Sequence, residues 1–172
     1  GMETIQESYS KGLQRQKITK DEVTAAQTNL HEAHNLATAI SEATIVIEAI
    51  PERIALKKSL FAEIETQVSA DVILGSNTSS LSITEIAADL KHPSRCVGLH
   101  FFNPVAVMKL LEIVRGKRTD NVTMDRVIAF AAAMKKEHIT VKDSPGFATS
   151  RLGIALGNEA VSYTHLRAHE TR

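Results

Sequence analysis

The class of fold follows from a short β-branched run, Ala43-Thr44-Ile45-Val46-Ile47-Glu48-Ala49. Runs of this length and composition are typical of strands that are buried on both faces of a parallel sheet. Pro51-Glu52 predicts the start of a helix, and the next buried strand is Asp71-Val72-Ile73-Leu74-Gly75-Ser76. A strand, a helix and a second strand in this order indicate an α/β protein.

The rest of the chain continues this alternation of elements. The later predicted elements are a helix over 83–90, strands at 95–101, 108–114 and 139–141, a helix over 120–136, and a helix from about 147 to 161. Before the first strand, the spacing of Ile5, Tyr9 and Leu13 predicts an amphipathic helix, and a capping box from Thr19 to Glu22 opens a second one. The expected fold is α/β with a mostly parallel sheet, and ligands of such sheets lie at the carboxyl ends of the strands.

Composition excludes several classes of function. The 172 residues are 43% hydrophobic, which is enough for one globular domain with a buried core. Twenty basic and twenty acidic side chains give a net charge of zero, which disfavours binding to nucleic acid or to an anionic membrane. Cys96 is the single cysteine, so we expect no internal disulfide, no zinc site and a reducing compartment. With neither a membrane-length apolar run nor a signal peptide, the sequence predicts a soluble protein.

Polar side chains gather at the ends of the predicted strands. Ser76-Asn77-Thr78-Ser79-Ser80 follows one strand, His100 ends the next, and Glu112 lies within the apolar strand after that. Together these groups can remove a proton from a substrate alcohol. For His100 considered alone, the alternative is a strand-end histidine whose hydrogen bonds are satisfied by backbone. Glu112 changes this balance, because a carboxylate in an apolar strand is unfavourable unless it is paired.

A chain reversal through Asn103-Pro104-Val105-Ala106 would place Glu112 beside His100. A carboxylate that accepts from one imidazole nitrogen fixes the tautomer and leaves the other nitrogen free to accept a hydroxyl proton. Ser79 is predicted to donate to the substrate oxygen, although a hydroxyl at this place could instead cap the following helix. For Ser82 we predict the capping role.

Five motifs in chain order resemble those of the L-3-hydroxyacyl-CoA dehydrogenase family, between about Ile5 and Val161. They are Glu48-Ala49-Ile50-Pro51-Glu52, Ser76-Asn77-Thr78-Ser79-Ser80-Leu81, His100-Phe101-Phe102-Asn103-Pro104, Val107-Met108-Lys109-Leu110-Leu111-Glu112 and Lys142-Asp143-Ser144-Pro145-Gly146-Phe147. The resemblance implies a Rossmann-like, doubly wound sheet, NAD as cofactor and an acyl-CoA as substrate. In that reaction the hydride goes to NAD and the proton of the 3-hydroxyl group goes to a histidine.

The resemblance also implies roles for individual residues on the substrate side. His100 is the general base, Glu112 orients it, and Ser79 and Asn103 position the substrate. Ser150 stands where the family pattern Pro-Gly-Phe, two variable residues, Asn-Arg has a substrate-site asparagine, so this substrate contact is made by a shorter side chain. No metal ligand is implied.

On the cofactor side, the resemblance implies that Glu52, Lys57 and Asn77 lie beside the nicotinamide. A complete dinucleotide site also needs a Gly-rich turn and a helix N-terminus for the pyrophosphate, and the sequence has no such motif. We therefore expect an incomplete sheet that lacks its first βαβ unit. Residues 1–146 would form the C-terminal part of a dinucleotide-binding domain, 147–163 a helix leading into an absent helical domain with the homodimer interface, and 164–172 a non-native tail.

The function expected from the sequence is thus that of a fragment of an NAD-dependent L-3-hydroxyacyl-CoA dehydrogenase, inactive as an isolated chain. The intact protein would act in the cytoplasm or, in a eukaryote, in the mitochondrial matrix. Two alternatives stay open at this point. One is a related β-hydroxyacid or sugar-acid dehydrogenase whose substrate carries no CoA, and the other is a scaffold remnant without catalysis.

Overall fold

The computed structural model describes the backbone of residues 1–165 and the side chains of residues 1–163. The chain forms two compact units, Gly1–Ala39 and the residues from Ile40 onward. Of the predicted tail 164–172, residues 166–172 lie outside the described part of the chain. The predicted domain limits at 146 and 163 stay predictions.

The first unit is helical and contains α1 (Met2–Gln14), α2 (Lys20–Thr28) and most of α3 (Leu36–Ile40). The predicted capping box at the start of α2 is confirmed. Thr19 Oγ1 accepts the Glu22 N–H at 3.2 Å, and the Glu22 carboxylate accepts the Thr19 N–H at 2.8 Å. Helix α3 was not predicted, because five residues are too few to show a helical period.

The second unit is built on a five-stranded sheet in the order β1-β2-β3-β4-β5. The strands are β1 (Ile45–Glu48), β2 (Ile73–Ser76), β3 (Cys96–Phe101), β4 (Leu110–Arg115) and β5 (Glu137–Lys142). Neighbours are parallel except β3 and β4, which form an antiparallel pair. The predicted α/β architecture with a mostly parallel sheet is confirmed.

The described residues of this unit form four α-helices, α4 (Ile54–Glu65), α5 (Ile83–Ile86), α6 (Asn121–Ala133) and α7 (Thr149–His165), and a short 3-10 helix, Pro93–Arg95. All four differ from the predicted bounds: α6 ends at Ala133 rather than at Lys136, and α7 runs from Thr149 to His165 rather than from about 147 to 161. Helix α4 begins at Ile54 rather than at Pro51, because Arg53 has an extended backbone (φ −130°, ψ 112°) and is the N-cap residue. Helix α5 ends at Ile86 rather than at Leu90, since the next two carbonyl groups accept hydrogen bonds from Arg118.

The two faces of the sheet are covered differently. On one face, α6 packs against a core formed by Ile73, Val97, Leu99, Leu111, Ile113, Met124, Val127 and Ala131. Side chains alternate along a strand, so Gly98, His100 and Glu112 point to the other face. There α5 approaches closely: a Cβ atom at Gly98 would lie 3.0 Å from Ile83 and 2.7 Å from Val114. This second face carries the polar site.

The prediction that the first strand is buried on both faces is wrong for most of its length. In β1 the side chain of Glu48 is buried, whereas Ile47 is 38% exposed. This exposure follows from the position of β1 in the sheet. In the described residues β1 pairs only with β2 and forms an edge of the sheet, so its side chains have strand neighbours on one side only.

Candidate active site

His100 and Glu112 form a buried pair at the centre of the site. They are register partners across the antiparallel β3–β4 pairing, so their side chains stand next to each other on one face. His100 Nδ1 lies 2.9 Å from Glu112 Oε2. The imidazole is 7% exposed and the carboxylate is fully buried. The predicted chain reversal that places Glu112 beside His100 is confirmed.

Glu112 receives further donors from the start of α7. Its Oε1 atom accepts the N–H groups of Ala148 at 2.9 Å and Thr149 at 3.1 Å, and its Oε2 atom accepts the Thr149 hydroxyl at 2.8 Å. Amides in the first turn of a helix have no partner within the helix and favour an anion. Burial raises the pKa of the Glu112 carboxyl, but the hydrogen bonds from His100, Ala148 and Thr149 together outweigh burial, and the pKa lies below its ordinary value of 4.5. The carboxylate therefore stays ionised.

Ser79 contacts the other side of the imidazole, with Oγ 3.1 Å from His100 Nε2. An ionised Glu112 can only accept, so Nδ1 carries the proton and Nε2 of the neutral ring is an acceptor for a hydroxyl group. Ser79 belongs to an exposed turn that follows β2. The helix cap is Ser82, whose hydroxyl accepts the Glu85 N–H, as predicted.

Two phenylalanines hold the plane of the imidazole. The ring centroid of Phe102 lies 4.5 Å from that of His100, and the Phe147 centroid lies 6.2 Å away, both in tilted arrangements. Phe147 is buried and follows Gly146, which has a φ of +70° and begins the tight entry into α7. Neither ring was predicted as part of the site, although both lie in motifs that the sequence analysis singled out.

A second polar cluster lies at the carboxyl end of β1. The Lys57 side chain is fully buried, and its Nζ atom donates to Glu48 Oε1 at 2.6 Å and to the Ile50 carbonyl at 3.2 Å. The Ser76 hydroxyl donates to the other oxygen of Glu48 at 2.7 Å. The contacts of Glu48 with Lys57 and with Ser76 were not predicted. The available signal was the acidic residue that ends an otherwise apolar strand.

Glu52 joins this cluster to Ser79. Its carboxylate accepts the Ser79 N–H at 3.0 Å and the Thr78 hydroxyl, and it lies 3.4 Å from Lys57 Nζ. Burial raises the pKa of Glu52, but the hydrogen bonds from Thr78, Ser79 and Lys57 outweigh it and hold the pKa below the ordinary value. The Glu52 side chain is 41% exposed, so one edge of this carboxylate is open to a ligand.

The remaining predicted site residues lie around this centre. Asn77 is half-buried after β2, and its Oδ1 atom accepts the Phe101 N–H at 3.0 Å, which ties the ends of β2 and β3 together. Asn103 is exposed in the loop between β3 and β4, and Ser150 is half-buried in the first turn of α7. Their binding roles stay predictions.

In the part of the chain that the structure describes, no three His, Cys, Asp or Glu side chains are arranged to hold a metal ion. Among the same residues, no helix has the length and apolar character needed to cross a membrane.

Comparison with known proteins places this site in a family. Residues 1–144 match the family model described as 3-hydroxyacyl-CoA dehydrogenase, NAD binding domain. A probable 3-hydroxyacyl-CoA dehydrogenase of Caenorhabditis elegans is 40% identical over 163 residues, which cover 92% of this chain and 55% of that protein. A probable 3-hydroxybutyryl-CoA dehydrogenase of Bacillus subtilis is 39% identical over 161 residues, with 94% and 56% covered.

The solved structures agree with the sequence relatives. The (S)-3-hydroxybutyryl-CoA dehydrogenase of Ralstonia eutropha superposes with a TM-score of 0.92 at 35% identity, covering 97% of this chain and 59% of that chain. The predicted Rossmann-like fold is confirmed. This chain spans little more than half the length of these relatives. On the match of residues 1–144, the chain belongs to the 3-hydroxyacyl-CoA dehydrogenase family, within its NAD-binding domain.

Proposed function

We propose that the protein encoded by the complete gene oxidises the 3-hydroxyl group of an acyl-CoA to a 3-oxoacyl-CoA, with NAD as the hydride acceptor. The observation that carries this proposal is the buried Glu112–His100 pair, whose free nitrogen faces the Ser79 hydroxyl. The relatives are named as probable dehydrogenases of 3-hydroxyacyl-CoA or 3-hydroxybutyryl-CoA, which supports the substrate class.

His100 acts as the general base of this reaction. Nε2 takes the proton of the substrate 3-hydroxyl group, and the electron pair of that O–H bond forms the π bond of the new carbonyl group. The hydrogen on C3 would leave with the electron pair of the C3–H bond, as a hydride. Glu112 stabilises the imidazolium that results and keeps the ring in the tautomer whose Nε2 atom accepts. NAD, when bound, supplies the two-electron acceptor that no side chain provides.

Ser79 positions the reacting oxygen. The substrate hydroxyl takes the place of the Ser79 hydroxyl as donor to Nε2, and Ser79 then donates to the substrate oxygen as it becomes a carbonyl group. Asn103 and Ser150 contact the acyl-CoA from the β3–β4 loop and from α7. The exposure of Asn103 and the position of Ser150 next to Thr149 support these roles.

The groups at the ends of β1 and β2 fit the nicotinamide half of the cofactor. The exposed edge of the Glu52 carboxylate can accept hydrogen bonds from hydroxyl or amide groups of the cofactor. The buried Lys57 ammonium group, 3.4 Å from that carboxylate, favours its ionised form. Asn77 fixes the neighbouring strand end through its hydrogen bond from the Phe101 N–H. For the pyrophosphate of the cofactor we identify no binding motif, because the sequence contains no Gly-x-Gly-x-x-Gly turn. We therefore propose that the 172-residue polypeptide by itself is inactive and does not change NADH fluorescence at micromolar concentration.

Two further properties of the intact protein are proposed. We place it in the cytoplasm or the mitochondrial matrix, because the chain has a single cysteine, which is free and buried. We also propose a homodimer. In support, α7 exposes the large apolar side chains Leu152, Ile154, Leu156, Val161 and Tyr163, which are unfavourable in water unless another surface covers them.

The decisive experiment is reduction of acetoacetyl-CoA by NADH with the protein expressed from its complete gene. Wild-type protein should turn over, and His100→Gln should lower kcat by roughly 100-fold to 10,000-fold, the usual contribution of a general acid–base group. Undiminished turnover by His100→Gln would refute the assigned base. Faster oxidation of free 3-hydroxybutyrate than of its CoA thioester would favour a hydroxyacid dehydrogenase instead.

A further inference from the structure

We propose that the Thr149 hydroxyl is a positioning group of this active site. By sharing one oxygen of Glu112 with His100, it limits how much of the carboxylate charge the imidazole receives and so sets the pH range in which His100 is a base. The proposal rests on the proposed function of His100 and adds a residue that the sequence analysis did not assign.

The geometry that supports it is a carboxylate with four donors. On Oε1 the donors are the N–H groups of Ala148 and Thr149, and on Oε2 they are His100 Nδ1 at 2.9 Å and Thr149 Oγ1 at 2.8 Å. The hydroxyl and the imidazole thus reach the same oxygen from nearly equal distances. Glu112 is fully buried, so water does not replace either donor.

Thr149 is well suited to hold this place. It binds Glu112 twice, through its backbone N–H and through its hydroxyl, and these two contacts fix the side chain relative to the helix. The first turn of α7 is itself anchored, since Arg151 N–H donates to the Gly146 carbonyl at 2.9 Å. A β-branched side chain at this point has few rotamers.

The direction of the effect follows from the charge on Oε2. A hydrogen bond to a carboxylate stabilises its ionised form and disperses the charge that the neighbouring imidazolium would otherwise feel. Without the hydroxyl, His100 is the only side-chain donor on Oε2, and the imidazolium is stabilised more strongly. Loss of the Thr149 hydroxyl should therefore move the titration of His100 to higher pH.

Other ionisable groups belong to the elements that pack around the pair. Glu52 lies behind Ser79 with Glu48 and Lys57, Asp143 accepts the N–H groups at the start of α5, and Arg151 follows in α7. A substitution of Thr149 by Val or Ser changes the charge of none of these ionisable groups. A shift in the titration of His100 between variants therefore reports on the Thr149 hydroxyl.

The test compares Thr149→Val, which deletes the hydroxyl at nearly constant shape, with Thr149→Ser, which retains it, in the protein from the complete gene. The first readout is an NMR titration of the His100 imidazole, assigned by the signal missing in His100→Gln. The titration midpoint should be higher in Thr149→Val than in the wild-type protein and should stay at the wild-type value in Thr149→Ser. The acid limb of the kcat/KM profile for 3-hydroxybutyryl-CoA oxidation, which reports on the free enzyme, should also move to higher pH.

Each outcome decides a separate point. An unchanged His100 midpoint in Thr149→Val, in protein with a wild-type circular dichroism spectrum, overturns the role of Thr149, and a lower kcat without a shift would show a purely structural contact. If Thr149→Val fails to fold, Thr149→Ala removes the hydroxyl without crowding and is titrated in its place. The NMR readout needs no turnover, so an inactive wild-type protein would refute the proposed function and leave the titration result intact.

Discussion

The carboxylate of Glu52 accepts the backbone N–H of Ser79 at 3.0 Å. Glu52, which was predicted on the cofactor side, therefore holds the backbone of Ser79, which was predicted on the substrate side. The same serine reaches His100 with its hydroxyl, and His100 continues to Glu112 and the start of α7. A continuous set of hydrogen bonds thus joins the end of β1 to the helix that follows β5.

This connection predicts a kinetic defect for Glu52→Gln. The amide keeps the shape of the side chain but loses the charge that holds Lys57 and the Thr78-Ser79 turn, so the Ser79 hydroxyl drifts from His100. We expect kcat to fall by roughly 10-fold to 100-fold, as for other small misplacements of catalytic groups, with a higher KM for NADH. Steady-state kinetics of acetoacetyl-CoA reduction measure both quantities.

The matched control is Glu63→Gln, which neutralises an exposed glutamate of the same helix region, away from this turn. It should leave both constants within error of the wild-type values. If Glu52→Gln is no more impaired than Glu63→Gln, then the contact between Glu52 and Ser79 has no role in catalysis.

A second prediction concerns the buried ion pair of Lys57 and Glu48. Lys57→Met removes the cation and leaves the Glu48 carboxylate buried with only neutral donors. Breaking a buried pair from one side is destabilising by about 3–5 kcal/mol, and we expect a loss of this size in the free energy of unfolding in urea.

Lys58→Met is the control for this variant, because Lys58 pairs with the exposed Asp89 at 2.8 Å on the surface. Exposed pairs contribute about 0–1 kcal/mol. A double variant, Lys57→Met with Glu48→Gln, should recover part of the loss, since no charge then stays buried. Equal urea midpoints for Lys57→Met and Lys58→Met would contradict the importance of the buried pair.

How much of this protein could be predicted from its sequence depends on the range of the contacts. The strands were found because β-branched runs are a local signal, and the His100–Glu112 contact was found because a hairpin and a two-residue period fix which side chains meet. Helix α5 was predicted too long, because the group that ends it, Arg118, comes about 30 residues later in the chain.

The missed parts of the site are contacts of this long-range kind. Thr149 lies 37 residues after Glu112, and no local pattern shows that the first turn of α7 returns to that carboxylate. Lys57 and Glu48 are only nine residues apart, but they belong to different elements. Their pairing depends on how the helix packs against the strand, which side-chain periodicity does not specify.

Two glycines give opposite predictions for the same substitution. At Gly98 a Cβ atom would lie 2.7 Å from Val114 Cβ and 3.0 Å from the Ile83 side chain, and the Val114 Cβ atom, which is attached to the backbone, can yield only if β4 moves. Gly98→Ala should therefore destabilise the protein by about 1–3 kcal/mol, the usual effect of overpacking a core. At Gly153, in exposed helix α7, nothing lies within 4 Å, and Gly153→Ala should stabilise by about 0.5–1 kcal/mol.

Urea unfolding of both variants measures the two changes under one set of conditions. Comparing the two variants separates the effect of packing from that of chain entropy. Both substitutions restrict the unfolded chain in the same way, but only the Cβ atom at position 98 meets neighbours in the folded state. A stabilised Gly98→Ala would show that the close approach of α5 to β3 is not a tight contact in solution.

The last prediction is the pH dependence of stability. Burial raises the pKa of Glu112, but hydrogen bonds from His100, Ala148 and Thr149 outweigh it, and the folded-state pKa lies below the ordinary 4.5. The unfolded state then binds a proton more readily than the folded state does. The stabilisation from Glu112 is fully present above about pH 4.5 and is lost as the pH falls through the folded-state pKa. In Glu112→Gln this contribution is absent at every pH. Urea unfolding between pH 7 and pH 3 should show the free energies of the wild type and Glu112→Gln converging as the pH falls, and a constant difference would contradict the ionised state of Glu112.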